Sequence, residues 1–105
     1  MVATRKVEYV IRLGRNDRYR HLHHRVGSRI TFFRVQLETY DGEVWWPVVR
    51  YDTAHGFSHR DLLSRKGVEQ KTPLFDMDYN DALTFAENDL KANWMSYRQR
   101  FTERA

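Results

Sequence analysis

Residues 51–61 read YDTAHGFSHRD, with two histidines, two aspartates and one arginine around a single glycine. These residue types can move protons. Histidine titrates nearest neutral pH and serves most often as general acid or base. A carboxylate such as Asp52 can orient an imidazole and stabilise its charged form. Arg50 or Arg60 can stabilise negative charge developing on a phosphoryl or acyl group. Two histidines with an arginine suffice for metal-free RNA cleavage, one deprotonating the 2′-hydroxyl and the other protonating the leaving oxygen. Asp52, His55, His59, Arg50 and Arg60, joined by His24, are therefore the candidate catalytic residues.

The competing reading is a tied-down turn. Asp52 caps it, Gly56 supplies a positive φ, and Arg–Asp pairs hold it. A metal reading also exists, since His55 and His59 with Asp52 or Asp61 offer two imidazoles and a carboxylate. Gly56 speaks against a helix, so the spacing does not bring both rings to one face, and HExxH is absent. No metal and no other cofactor is expected. No Walker motif or Gly-x-Ser-x-Gly elbow occurs, so no serine is marked as a nucleophile.

A second candidate is RYRHLHHR, residues 18–25. Read as a strand, it turns Tyr19, His21, His23 and Arg25 away from the core, joined by Phe32 and Arg34. A basic surface with interspersed aromatics contacts phosphates and stacks bases. Arg18, Tyr19, His21, His23, Arg25 and Arg34 are the candidate nucleic-acid contacts. The alternative is a solvated outer sheet face.

Charge supports that reading. Net charge is +4, and residues 1–35 hold nine Lys or Arg against two acids, while residues 36–105 hold nine against twelve. Fourteen of the eighteen bases are arginine, which pairs bidentately with phosphate and stacks on rings. There are no cysteines, which excludes disulfides and thiolate metal sites. No apolar run approaches the roughly 20 residues that span a bilayer. The first residues lack the apolar stretch of a secretory signal. A cytoplasmic location is expected.

The elements that must position these residues follow from turns and periodicity. In ITFFRVQLETY-DG-EVWWPVVRYD, Asp41-Gly42 is a favoured two-residue hairpin turn. It would set Phe33, Val35, Leu37 and Thr39 opposite Arg50, Val48, Trp46 and Val44 on an apolar face. Arg34, Gln36 and Glu38 would oppose Val49, Pro47 and Trp45 on a mixed one, with Trp45 an anchor for a protein partner. Pro47 implies an edge strand or a non-bonded position. Gly27-Ser28 would join residues 18–26 to 29–37, with Leu22 facing Phe33 and His24 facing Thr31. Val7, Tyr9, Ile11 and Leu13 alternate as a further strand. Short strands near Arg60–Leu63 and Glu69–Thr72 would meet through Lys66-Gly67. On this register Arg50, Asp52 and His24 approach one another at one end of the core face.

From Tyr79 the period changes. Tyr79, Leu83, Ala86, Leu90, Trp94, Tyr97 and Phe101 form one stripe of a helix. Asp78 or Asn80 can cap it. The expected fold is α+β: one domain over 1–105, a four- to five-stranded antiparallel meander within about 6–72, and one helix over about 79–103 across its apolar face.

VQLETYDGEVWWPVVRYDTAHGFSHRDLL with DYNDALTFAENDLKANWMSYRQRF resembles a family of small prokaryotic proteins of unknown function, over roughly residues 30–103. Arg50, Tyr51, Asp52 and His55 also look like the toxin components of TumE-type toxin–antitoxin pairs. That second resemblance implies an RNA-directed toxin, with RNA or a cognate antitoxin-like protein as partner. The functional expectation is a metal-independent RNase; the alternative is a non-catalytic module binding nucleic acid or protein. Either would be a monomer or a homodimer.

Overall fold

A computed structural model describes residues 3–104. Six strands form one antiparallel sheet in chain order: β1 (Thr4–Gly14), β2 (Asp17–Val26), β3 (Arg29–Asp41), β4 (Val44–Asp52), β5 (His59–Ser64) and β6 (Gly67–Pro73). One helix, α1 (Tyr79–Glu103), follows. The α+β class and the meander hold. The strand count rises to six because the β5–β6 hairpin extends the same sheet.

The helix forms where its stripe ends predict. Asp78 is the N-cap, its carboxylate accepting the Asp81 N–H at 2.8 Å. Asn80 instead pins the helix to the β2–β3 turn, accepting from Ile30 N at 3.0 Å and donating to Ser28 O at 2.8 Å. Leu83, Ala86, Leu90 and Phe101 are buried against Phe33, Val35, Leu37, Val49 and Tyr51, with Tyr79, Trp94 and Tyr97 packed at the margin. Each fully buried large side chain stabilises by about 1.5–3 kcal/mol. Gly14 lets Trp94 approach closely: a Cβ there would lie 2.7 Å from the indole.

Two one-residue bulges decide which side chains share a face. The β3–β4 turn is Gly42-Glu43, one residue later than expected, with φ 62° and 68°, as a type I′ turn requires. That slip alone moves the pairing by two and preserves the faces. The change comes at Val48. Glu38 pairs with Pro47 but Leu37 pairs with Val49, so Val48 is extra. Beyond it the faces invert: Val35 opposes Tyr51 and Arg34 opposes Asp52. Pro47 lies outside the β4–β5 ladder, which runs from Val49 to Asp52, so its missing N–H breaks no bond there.

The second bulge is at Thr31. Gly27-Ser28 is the β2–β3 turn as expected, yet Arg25 pairs with Ile30 and His24 with Phe32. Leu22 therefore opposes Arg34, and His23 opposes Phe33. The consequence corrects both site expectations. Tyr19, His21 and His23 lie on the helix side, while Arg50, Asp52 and His24 lie on the opposite, open face. The β5–β6 turn is likewise Arg65-Lys66, since Ser64 pairs with Gly67.

Candidate functional site: the open face of the sheet

The register places Lys6, Arg12, Arg18, Arg20, Arg34, Arg50 and Lys71 on the face away from α1, against Glu8, Glu38, Asp52 and Asp61. The carboxylates lie deep and the cations lie over them. Glu38, Asp52 and Asp61 side chains are 8%, 3% and 4% exposed, while Arg20, Arg34 and Lys71 are 44%, 48% and 43% exposed.

Two ladders of contacts build this layer. In the first, Arg34 reaches Asp52 at 3.2 Å, Asp52 meets His59 Nε2 at 2.8 Å, His59 Nε2 lies 3.6 Å from Asp61, and Lys71 closes on Asp61 at 3.2 Å. Asp52 also accepts from Ala54 N at 3.1 Å, which holds the following turn. In the second, Arg18 and Arg20 share Glu38 at 2.5 and 3.2 Å, Gln36 donates to the same carboxylate, and Arg50 donates to Gln36 at 2.8 Å. Among the described residues, Arg12 and Arg50 have no carboxylate partner. Aromatic rings sit between the cations. The Arg18 guanidinium lies 3.9 Å from the Trp45 ring centre, Tyr40 packs 5.2 Å from Trp45, and His24 lies 5.1 Å from Phe32.

The predicted catalytic residues are brought together only in part. Asp52 orients His59 as expected, but His59 is 1% exposed and enclosed by carboxylates. His55 is exposed on a short 3-10 turn (Ala54–Gly56) with φ 71°, its ring centre 6.4 Å from that of His59. His24 belongs to a different row, opposite Phe32 rather than Thr31. Arg60 faces the helix and donates to the Tyr97 hydroxyl at 3.3 Å. Among the described residues, no three His, Asp or Glu side chains gather as a metal site.

The predicted nucleic-acid contacts divide between faces. Arg18 and Arg34 are on the open face. Tyr19 and His21 are buried on the helix side, with Tyr9 stacked on His21 at 4.4 Å. Arg25 lies on that side too and donates to Gly27 O. His21 Nδ1 faces Glu87 at 3.3 Å and the Tyr19 hydroxyl at 2.7 Å, and its Nε2 faces His23 Nδ1 at 2.6 Å. Burial, then His23 and Lys91, lower the His21 pKa to about 4, so this ring is neutral at pH 7. Burial also raises the Tyr19 phenol, assisted by Glu87.

The family model for DUF7718, a domain of unknown function, matches residues 4–105. The chain belongs to the DUF7718 family. No curated protein and no solved structure matches the sequence. The DUF7718 domain has, among its described residues, no helix long and apolar enough to cross a membrane.

Sequence reasoning missed one anchor of the DUF7718 fold. Asp89 accepts from the Tyr51 and Tyr97 hydroxyls at 2.7 and 2.6 Å and from Asn93 at 2.8 Å. Asp89 and Asn93 are one helical turn apart beside the apolar stripe, the signal that could have found them. Glu38 is more than the mixed-face residue its strand position suggests, since it anchors two arginines.

Proposed function

We propose that this protein binds single-stranded nucleic acid on the open face of its sheet. The observation that supports it is the layering of exposed arginines over buried carboxylates. An approaching polyanion meets guanidinium first, and the acids beneath hold those groups in place at lower entropy cost. Arginine offers phosphate a rigid fork of donors. Trp45, Tyr40 and Phe32 on the same face supply rings on which bases stack, and stacking accepts any base. Folded proteins that read no sequence combine these same two elements, a basic track and aromatic platforms.

Fluorescence anisotropy with a short labelled single-stranded RNA tests this reading. Affinity should fall linearly with salt on logarithmic axes. Arg20→Ala or Arg50→Ala should lower the slope by about 0.7 for each phosphate left unneutralised. Trp45→Ala should weaken binding by about 1–3 kcal/mol. Absent or salt-independent binding would remove the proposal. The same RNA, recovered and sized, addresses the metal-independent RNase reading, which rests on the proximity of the His55 and His59 rings. Burial of His59 between two carboxylates argues for a structural ring, so intact RNA is expected. Chelator-resistant cleavage lost in His55→Ala would restore the catalytic reading, and with it a toxin-type role.

A further inference from the structure

The two edges of the sheet differ. β6 is short, with Glu69 bulged between the Leu62–Gln70 and Leu63–Val68 pairs, Lys71 along it and Pro73 at its end. These are the devices that block strand addition. β1 is 11 residues long and regular from Thr4 to Arg12. Tyr9, Val10 and Ile11 on it are 36%, 47% and 37% exposed. The helix packs chiefly over β3 and β4 and meets β1 near its end, where Trp94 lies against Gly14, so Tyr9 and Ile11 on the helix side of β1 stay partly exposed.

A long apolar edge invites another strand, and the charges on β1 say which. When an antiparallel strand pairs with its own copy about an axis normal to the sheet, each residue meets one of the same parity. Centred on Glu8, the register sets that carboxylate against itself. Centred on Tyr9, it sets Lys6 against Arg12. Centred on Val7, it pairs Lys6 with Glu8 but opposes Val10 to Thr4. Centred on Val10, it opposes Glu8 to Arg12 twice on the open face and Tyr9 to Ile11 twice on the helix side. Only this last register matches charge and apolar character together. We infer that the protein is a homodimer in which β1 pairs antiparallel with β1 of a second copy about Val10, making one continuous sheet of both chains. The inference does not depend on nucleic-acid binding.

Mass from light scattering, with sedimentation across a concentration series, reads the assembly. A species of twice 12.7 kDa is expected, and a monomer at every concentration would overturn the proposal. Glu8→Arg or Arg12→Glu should weaken dimerisation at least about tenfold, because both symmetric pairs change sign at once. The double variant, with the two charges exchanged, should restore it; a double variant that stays monomeric counts against the register. The chain has no cysteine, so Val10→Cys gives each copy a single thiol at the axis. Facing residues of an antiparallel pair lie within reach of a disulfide. Mild oxidation should cross-link Val10→Cys and leave Val68→Cys on β6 uncoupled. Cross-linking through Val7→Cys in place of Val10→Cys would overturn the register.

Discussion

Two histidines, one on each face of the sheet, are equally buried at 1% exposure, yet their surroundings differ in kind. His21 sits under the helix among phenols and a second imidazole, and is held neutral there. His59 sits on the open face between two carboxylates, with a cation outside each of them. The helix side surrounds its ring chiefly with aromatic groups, with Glu87 at one edge, and the open face sets its ring between carboxylates. The same side chain becomes a neutral link in a hydrogen-bond chain in one place and the centre of an ionic ladder in the other. Burial alone therefore does not tell what a histidine is for; the sign and depth of its neighbours do.

The sharpest way to break this contrast is to merge the faces. Deleting Val48 would leave a regular ladder with the faces unchanged, whereas inserting one alanine between Val49 and Arg50 would transfer Arg50 and Asp52 to the helix side while turning Tyr51 out. Uncompensated buried charge and forfeited apolar burial together exceed the usual roughly 5–15 kcal/mol of a domain. Loss of cooperative unfolding in urea is expected, and a folded insertion variant would show that the strand absorbs an extra residue without exchanging its faces. A smaller effect should follow from His59→Ala, which leaves Asp52 and Asp61 facing each other. Breaking such a buried ionic cluster costs about 3–5 kcal/mol. A loss below about 1 kcal/mol would mean that the ladder contributes little to stability.

On the helix side the test is pH. The folded His21 pKa, about 4, lies below the ordinary histidine value of 6.5. The unfolded chain takes the proton first as pH falls, so stability is complete above 6.5 and declines from there toward 4. The decline attributable to this ring is on the order of 3 kcal/mol. His21→Gln should flatten that part of the stability–pH curve measured by urea denaturation, and an unchanged curve would place the titration elsewhere. The smallest effect is expected where the helix touches β1. Gly14→Ala forces a Cβ against Trp94, and overpacking of this kind costs about 1 kcal/mol or somewhat more. An unaffected melting temperature would show that the indole swings aside.

Much of the architecture is legible in the sequence. The stripe from Tyr79 to Phe101 marks the helix and its buried side, because seven apolar residues at helical spacing admit one packing face. Gly27-Ser28 marks its turn, and Asp52 is matched to a histidine of the right loop. What stays hidden is the pair of bulges. Alternation reads a strand correctly until one residue is inserted, and then inverts every later assignment. Strict alternation puts Tyr19, His21 and His23 in solvent for that reason, and Arg50 and Asp52 in the core. Faint marks exist. Val48-Val49 after Pro47, and Phe32-Phe33 after Thr31, are apolar doublets in strands that otherwise alternate. The type I′ turn is ambiguous because Gly42 fits either of its two central positions, and Glu43, not Asp41, takes the second positive φ.

In the language of step-growth chemistry, a unit with one reactive end stops at a pair, whereas a unit with two grows into a chain. Pro73, Lys71 and the bulged Glu69 make β6 an unreactive end. Among the described residues the molecule would thus be monofunctional, and the proposed pairing through β1 would consume that valence. Replacing those guards with β-branched residues would add a second valence, and strand pairing at both edges would then yield filaments in place of a closed assembly.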